Sequence, residues 1–445
     1  MTGRACRGDL RSSQRAAIVG ILALALTACT GGSEARVEPD PITDNAVQNH
    51  GPTNVEILHL DRVPWEGGPE YWKQFSRAHA AGWSRDDFFP IVAWFDSVST
   101  DEEAAYDKSL GINTYIGMPE TTPYSLFSEN DLYYIGPRLN DTYTDSSSNW
   151  VGQLLGDELD GQFPKPADGQ RYMRERARTV PGGFFKYANF TQIVIGQDIS
   201  DSDAETYVND FTDVASMDMY WYSVPYCSIQ PYRDNYVVPI EQEFCRTASS
   251  YGKAVRAMKI RDAADGRLQP IWQFVENYNG GPSGEPMTAP ISPDQLEGAV
   301  MSSLINEARG IVYFNQSLSG DCQSGNVFRD SQVNAASCMT ETVGAARRVN
   351  GKIHDLARVL NTQSYAYDFG TGLQTMLKVL DGNAYIFAMI DGSSSPGKRQ
   401  FHLPDGITGQ DIEVLYEDRS MKSHDGAFSD DFRNEATYHI YKVEL

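Results

Sequence analysis

The sequence predicts an α/β fold in which a (β/α)8 TIM barrel is followed by a small C-terminal antiparallel β-sandwich. First, eight short apolar runs alternate with helical stretches between residues 88 and 315. Runs that are apolar on both faces are typical of parallel strands covered by helices. Second, short alternating strands separated by Asp-Gly turns follow residue 363, as in antiparallel sheets. Third, a chain of 445 residues accommodates a large domain and a small one.

The barrel is predicted over residues 54–362. Its strands are predicted at Phe88–Phe95, Ile112–Met118, Leu132–Ile135, Val151–Gly156, part of Phe185–Ile195, Val214–Trp221, Pro270–Glu276 and Gly310–Asn315. Helices are predicted at Thr100–Leu110, Gly169–Arg178, Ala204–Thr212, Val238–Tyr251 and Ser292–Ala308. A last helix, over residues 341–361, leaves the barrel. Strand and helix in alternation, eight times, is the pattern of a closed parallel barrel.

The β-sandwich is predicted over residues 363–445, where the apolar pattern becomes alternating. Its strands are predicted at Leu373–Leu380, Ala384–Ile390, Arg399–Leu403, Asp411–Tyr416 and Tyr438–Val443. This part of the sequence contains no carboxylate pair that suggests chemistry, so we expect the functional site in the barrel.

The N-terminal residues 1–28 have the pattern of a secretion signal, because four arginines precede a short apolar core. The signal ends in Leu26-Thr27-Ala28-Cys29, which resembles the lipobox of bacterial lipoproteins. That resemblance implies that Cys29 carries lipid and anchors the protein to the cell membrane from outside the cytoplasm. The alternative is an ordinary signal peptide with an incidental cysteine. Residues 29–53, rich in Gly, Pro, Asp and Asn, are predicted to be a flexible tether.

Four cysteines remain after the signal and the lipidated residue, namely Cys227, Cys245, Cys322 and Cys338. An even number in an exported chain indicates disulfides. Proximity in sequence favours pairing Cys227 with Cys245 and Cys322 with Cys338. The sequence has no Cys-x-x-Cys motif, and no His lies near these cysteines, so we expect no metal and no cofactor.

The net charge of −23 predicts a surface that repels nucleic acid and anionic membranes. Membrane attachment is therefore expected through the lipid alone. A strongly acidic surface also promotes solubility, so it carries no information about the substrate.

Two of the predicted strands end in glutamate, and these residues carry the functional prediction. Glu158 follows the fourth strand and Glu276 ends the seventh. The carboxyl ends of barrel strands meet at one face, where active sites of this fold lie. Two carboxylates brought together there are the groups that cleave a glycosidic bond. The alternative is that each glutamate is a solvated residue at the end of a strand.

In order and spacing, several segments resemble the clan A (β/α)8 glycoside hydrolases. FFPIVAWFDS and LGINTYIGM resemble their first two strands, GDELD their fourth and ARGIVYFN their eighth. The resemblance covers about residues 55–445. It implies Glu158 as the acid/base, Glu276 as the nucleophile, and hydrolysis with retention of configuration. The sequence departs from the family at Asp157, where Asn is common, and at Leu159, where Pro occurs.

Other residues near the predicted strand ends are candidates for binding an oligo- or polysaccharide. Aromatic rings pack on the faces of sugars and polar groups bind their hydroxyls. For any single aromatic residue the alternative is a place in the core. The candidates are Trp94, Asp157, Asn189, Asp218, Tyr220, Trp272 and Asn315.

The sequence thus predicts a membrane-tethered extracellular glycosidase of the retaining type. The alternative is a non-catalytic carbohydrate-binding lipoprotein on the same scaffold, since a barrel does not by itself imply catalysis. Motifs of other hydrolases, His-Glu-x-x-His and Gly-x-Ser-x-Gly, do not occur. The sugar, the linkage and the oligomeric state are not predicted.

Overall fold

The computed structural model describes residues 58–223, 227, 235–277, 291–317 and 322–445. The signal peptide, Cys29 and the tether lie outside the described residues, so their assignment stays a prediction. Across the described part of the chain, every helix is too short or too polar to cross a membrane.

The eight predicted barrel strands all form, and they close into one parallel barrel in chain order. Apolar runs flanked by helices therefore predicted the topology correctly. Most of the strands are shorter than the predicted apolar runs. The strands are β1 (Ile91–Trp94), β2 (Thr114–Ile116), β3 (Tyr133–Ile135), β4 (Trp150–Asp157), β5 (Phe185–Phe190), β6 (Val214–Met217), β7 (Ile271–Glu276) and β8 (Ile311–Phe314).

Eleven helices of the described residues surround and follow the barrel strands. Side chains cap several of them, as in the capping box that Ser292 and Gln295 form at one N-terminus. The helices are α1 (Ser76–Ala80), α2 (Asp101–Ser109), α3 (Ser125–Glu129), α4 (Leu159–Gln162), α5 (Pro166–Thr179), α6 (Asp201–Asn209), α7 (Ser249–Asp262), α8 (Pro293–Ile305), α9 (Val327–Val333), α10 (Thr340–Asp355) and α11 (Ala357–Leu360).

The helix predicted at Val238–Tyr251 is wrong, because the helix before β7 begins only at Ser249. The segment before it contains Pro239 and one short 3-10 turn, Gln242–Phe244. Its cysteine, Cys245, is tied back to Cys227 by a disulfide. The apolar residues that give α7 its buried face start at the end of the predicted range and continue beyond it.

Inward-facing side chains fill the barrel as a packed core. At the amino-terminal end of the strands, Trp83 packs against Phe185 and Trp272 with ring centroids 5.3 and 6.2 Å apart. Above this layer Tyr187 and Phe274 fill the centre. The opposite end, where the strands finish, carries polar side chains and is the mouth of the barrel.

The C-terminal domain has two antiparallel sheets that enclose a separate core, as a β-sandwich does. A five-stranded sheet has the order β13-β12-β15-β10-β9, and β11 pairs with β14. The prediction missed β13 and β14, whose short runs are largely polar. The strands are β9 (Leu373–Leu380), β10 (Asn383–Ile390), β11 (Gly397–His402), β12 (Asp411–Val414), β13 (Arg419–Lys422), β14 (Ala427–Phe432) and β15 (Tyr438–Glu444).

The first described residues belong with the sandwich, although the sequence assigned them to the barrel. Leu58 is buried in the core of the sandwich, and Arg62 forms an antiparallel bridge with Tyr365. The chain therefore touches its C-terminal domain before it enters the barrel.

Both predicted disulfides are present, Cys227–Cys245 and Cys322–Cys338. Each closes a local loop beyond the carboxyl end of a barrel strand, the first after β6 and the second after β8. They lie on the same side of the barrel as the candidate site.

Candidate active site

The end of β4 is distorted in a way that places two acidic side chains at the mouth. Its register against β5 shifts between Leu154 and Gly156. Glu158 then adopts φ 50° and ψ 34°, the left-handed region, while its N–H donates to the carbonyl of Asn189 at 2.9 Å. A non-glycine residue in this region costs of the order of 1–3 kcal/mol and often marks a functional site.

Three carboxyl groups meet at this point, from Asp157, Glu158 and Asp218. Asp218 directly follows β6 and hydrogen-bonds to the Glu158 carboxyl. Burial, and then the negative charge of Asp157, raise the pKa of Glu158 to about 7. Burial and the neighbouring carboxylates Glu158 and Asp157 hold the pKa of Asp218 well above its ordinary value. The cluster therefore keeps protons at neutral pH.

A buried hydrogen-bond chain supports Asp157 from below. The Asn189 side-chain amide donates to Asp157 Oδ1 at 3.0 Å, and its oxygen accepts from Ser216 Oγ at 2.8 Å. Ser216 in turn bonds to the Tyr187 hydroxyl at 2.6 Å. Asn189 is fully buried and both of its polar atoms are engaged. Its contact is with Asp157, which corrects the predicted contact with a sugar.

Glu276, at the end of β7, has a different set of partners. The Tyr251 hydroxyl lies 2.7 and 2.6 Å from its two carboxylate oxygens, and Ser223 Oγ donates to Oε1 at 2.9 Å. The side chain is 0% exposed. Burial raises the pKa of Glu276, whereas the hydroxyls of Tyr251 and Ser223 lower it by stabilising the carboxylate.

The two glutamates thus occupy contrasting environments at the same end of the barrel. Glu158 is surrounded by acidic groups, and its pKa is raised to about 7. Burial also raises the pKa of Glu276, but its hydroxyl donors oppose that shift by stabilising the carboxylate. Asp157, Glu158, Asn189 and Asp218 form one connected group. Glu276 belongs to a second group with Ser223 and Tyr251.

Aromatic side chains form a continuous floor at the mouth. The ring of Trp94 lies 5.1 Å from that of Phe274, and the ring of Tyr220 lies 5.2 Å from that of Phe314. Tyr220 and Phe314 are partly exposed, whereas Trp94 is 5% exposed. Tyr220 is therefore partly accessible at the mouth, whereas Trp94 is buried beneath the floor.

The prediction missed Phe95, the residue directly after β1. Its ring is 44% exposed, and its backbone has φ 48°. The ring packs on Trp94 at 4.8 Å and lies over Gly117, where a Cβ would come within 2.8 Å of it. The sequence does not indicate that this ring is exposed, because Phe95 ends an apolar run that is typical of a buried strand.

Two of the predicted sugar contacts are corrected by the structure. Trp272 is 0% exposed and packs in the barrel core near Trp83, four residues before the strand end. Asn315 is also 0% exposed. It donates to Asp96 at 3.2 Å and to Asn326 at 3.1 Å, so it joins β1, β8 and α9 to one another.

Among the described residues, no group of three or more His, Cys, Asp and Glu side chains is arranged to hold a metal ion.

No family model matches the sequence, and no curated protein sequence matches it. Solved structures resemble the fold. A GH30 endoxylanase from Clostridium papyrosolvens aligns at 9% identity and a TM-score of 0.43, over 80% of this chain and 97% of its own. An alpha-amylase from Geobacillus thermoleovorans, complexed with acarbose, aligns at 9% identity and 0.43, over 81% and 99%. Eubacterium rectale Amy13B aligns at 8% and 0.48, over 81% and 96%.

Likeness at this level does not assign the chain to a family.

Proposed function

We propose that the protein is a glycoside hydrolase that cleaves O-glycosidic bonds with retention of configuration, with Glu158 as acid/base and Glu276 as nucleophile. The observation that carries the proposal is the position of Glu158 at the mouth, half-buried beside Asp157 and Asp218, which raises its pKa. A general acid is most effective when its pKa lies near the working pH, and that of Glu158 is raised to about 7.

Glu158 would protonate the glycosidic oxygen as the bond to the leaving sugar breaks. In the second step the same residue, now a carboxylate, would accept a proton from the attacking water. Asp218 stabilises that carboxylate by hydrogen bonding to it, so the residue can cycle between both states. Asp157 opposes the ionisation and thereby keeps the acid protonated in the resting enzyme.

Glu276 is the better nucleophile of the two because hydroxyl groups stabilise its negative charge. Tyr251 and Ser223 fix the orientation of the carboxylate through three short contacts. Attack on a sugar requires that the fully buried Glu276 becomes accessible to it, so substrate binding would have to uncover this carboxylate.

Glu158 and Asp218 are not the catalytic pair. Their direct hydrogen bond brings carboxyl oxygens to roughly 2.5–3 Å. Retaining hydrolysis needs carboxyl groups about 5–5.5 Å apart, and inverting hydrolysis needs a wider gap for water. Asp218 is therefore a residue that tunes the acid.

The mouth suits an uncharged saccharide. Phe95 and Tyr220 present aromatic surface on which the apolar face of a sugar ring packs, and Asp157 can accept hydrogen bonds from hydroxyls. The negative charge that remains on the carboxyl cluster would repel an acidic sugar.

The N-terminal pattern supports export and attachment to the outer face of the cell membrane through lipid on Cys29. The substrate would then be an oligo- or polysaccharide outside the cytoplasm.

The proposal is tested by hydrolysis of a panel of glycans and aryl glycosides with residues 54–445. Glu158→Gln should lower kcat/KM about 10²–10⁴-fold on natural linkages, and less on aryl glycosides whose leaving groups need no protonation. Glu276→Gln should abolish turnover of both. Glu175→Gln, on the exposed face of α5, is the matched control. Full activity of Glu158→Gln and Glu276→Gln on a cleaved substrate would refute the assignment.

A second candidate is a non-catalytic carbohydrate-binding lipoprotein. The complete burial of Glu276 favours it, because a buried carboxylate does not reach a ligand. It predicts saturable binding of a glycan, by calorimetry, without turnover of any member of the panel.

A further inference from the structure

One turn of the C-terminal sandwich contacts Tyr222, the N-terminus of α7 and α8 of the barrel. The turn connects β14 to β15, and Asn434 fixes it, because its side-chain oxygen accepts from Ala436 N at 2.9 Å and from Thr437 Oγ1 at 3.0 Å. Ala436 packs on α8 at Gly298, where a Cβ would lie 2.7 Å from it. The turn is therefore held rigidly against the barrel, and it presents Glu435.

The carboxylate of Glu435 binds two groups of the barrel. It accepts from the Tyr222 hydroxyl at 2.9 and 3.0 Å and from the backbone N–H of Ala248 at 2.8 Å. Ala248 is the N-cap residue of α7. A carboxylate at a helix N-terminus is favourable, because it satisfies an orphan donor and complements the helix dipole.

The same sandwich fixes the next residue of α7. Ser249 Oγ donates to the carbonyl of Asp391 at 2.8 Å and receives a hydrogen bond from Gln374. The first turn of α7 is thus attached to the C-terminal domain at two consecutive residues.

That first turn carries Tyr251, the partner of Glu276. The ring of Tyr251 lies 5.6 Å from that of Tyr222, and its hydroxyl receives the N–H of Tyr222 at 3.2 Å. Glu435 therefore holds both the helix end and the neighbouring ring that fix the Tyr251 hydroxyl on Glu276.

We propose that Glu435 is a positioning residue for the nucleophile, through which the C-terminal sandwich takes part in catalysis. The inference rests on the proposed function of Glu276. It makes the sandwich a component of the active site and not an independent module.

Removing the Glu435 carboxylate would leave the buried Tyr222 hydroxyl and the Ala248 N–H without their acceptor. Tyr251 would then lose its fixed position, and Glu276 would lose the donor that stabilises its charge. Among the described residues, the charged and titratable groups facing Glu276 are Tyr222, Tyr251 and Arg246, and the positive charge of Arg246 interacts with it. Ser223 and Arg246 keep their interactions with Glu276 in the variant, so we expect only a partial effect on the ionisation of Glu276.

The kinetic test uses Glu435→Ala, Glu435→Gln and the control Glu413→Ala, at an exposed position on β12. Glu435→Ala should lower kcat about tenfold to a hundredfold, as misplacement of a catalytic group does, with KM within about twofold. The acidic limb of its pH–kcat/KM profile should move to higher pH, because Glu276 ionises less readily. Glu435→Gln should recover most of the activity, because its carbonyl oxygen can accept both hydrogen bonds. The proposal would be overturned if Glu435→Ala left kcat and the acidic limb unchanged. It would also be overturned if Glu435→Ala and Glu435→Gln lost equal activity and both had a lower Tm without a shift of the acidic limb.

A structural test separates this proposal from the proposed function. Crystal structures of the wild type and of Glu435→Ala are compared at one pH. We expect the distance from the Tyr251 hydroxyl to the Glu276 carboxylate to exceed about 3.5 Å in the variant. If the wild type cleaves no glycoside, the proposed function fails, and this comparison still decides the positioning role. An unchanged Tyr251–Glu276 contact would overturn that role.

Discussion

The carboxyl group of Glu158 is hydrogen-bonded to that of Asp218 across the ends of β4 and β6. Two carboxyls bond directly only when one of them is protonated, so the pair holds at least one proton near neutral pH. Asp157 adds a third acidic group beside them. This arrangement destabilises the fold at high pH and prepares Glu158 to act as an acid.

Replacement of Glu158 by Gln should stabilise the protein at pH 8 but not at pH 4. The folded-state pKa of Glu158 is raised from 4.5 to about 7. Its stabilising contribution is therefore present below pH 4.5 and is lost as the pH rises to about 7. The gain in Tm of Glu158→Gln over the wild type should grow across this range. Each kcal/mol corresponds to roughly 2–4 °C for domains of 150–250 residues, and scanning calorimetry measures it.

Glu175→Gln is the control for that comparison, because it removes one exposed negative charge of the same type. Its Tm at pH 8 should be close to that of the wild type, because substitutions at exposed positions usually change stability by less than about 0.5 kcal/mol. A pH-independent Tm difference for Glu158→Gln would show that burial and Asp157 do not raise its pKa.

Replacement of Asp157 by Asn should shift the basic limb of the pH–activity profile to lower pH. Glu158 must be protonated to act, so activity falls as the pH rises through its pKa. Asp157 raises that pKa by its charge, and Asn removes the charge while keeping a hydrogen-bonding side chain. Initial rates on an aryl glycoside with a poor leaving group measure the limb. An upward shift, or none, would contradict the assignment of Glu158 as the acid.

The two disulfides should differ in their effect on activity although they are similar in size. They close separations of 18 and 16 residues, so losing either should cost about 2–4 kcal/mol of unfolding free energy. Cys227–Cys245 lies beside the segment that leads into α7 and Tyr251. The double Ser variant of this pair should also lower kcat, whereas that of Cys322–Cys338 should not. Urea unfolding measures the loss of stability in both variants, and steady-state kinetics measures kcat. Equal kcat values in the two variants would show that the Cys227–Cys245 disulfide does not act on Glu276.

Phe95→Gly should weaken substrate binding without large loss of stability. Glycine relieves the backbone strain at φ 48° but removes the ring on which we place a sugar. Loss of about 1 kcal/mol of ring contact raises KM roughly fivefold. Tyr416→Gly is the control, because Tyr416 is also 46% exposed with φ 66° but lies in the sandwich. A KM unchanged in Phe95→Gly, or raised equally in Tyr416→Gly, would exclude Phe95 from the binding surface.

The barrel was predictable because its strands are apolar on both faces, which is a property of the sequence itself. Glu158 and Glu276 were located by their position at the ends of such runs. Helix α7 was misplaced because the segment before it is held by a disulfide and by the sandwich, and neither contact has a local pattern.

Tertiary contacts also decided which candidate residues reach the mouth. Trp272 and Asn315 lie in or beside strands that were correctly predicted, yet one fills the core and the other joins neighbouring elements. Asp218 was among the candidates, but its bond to Glu158 joins residues 60 positions apart. Glu435 lies in the domain for which no chemistry was expected, and only the packing of the two domains brings it to Tyr222.

Trapping of the covalent intermediate tests the central assignment most directly. The 2-deoxy-2-fluoro aryl glycoside of the sugar that the enzyme releases is incubated with wild type, and the labelled peptide is sequenced by mass spectrometry. A fluoroglycosyl group on Glu276, absent from Glu276→Gln, is the expected result. Steady hydrolysis of the parent glycoside with the label on another carboxylate, or with no label at all, would contradict Glu276 as the nucleophile.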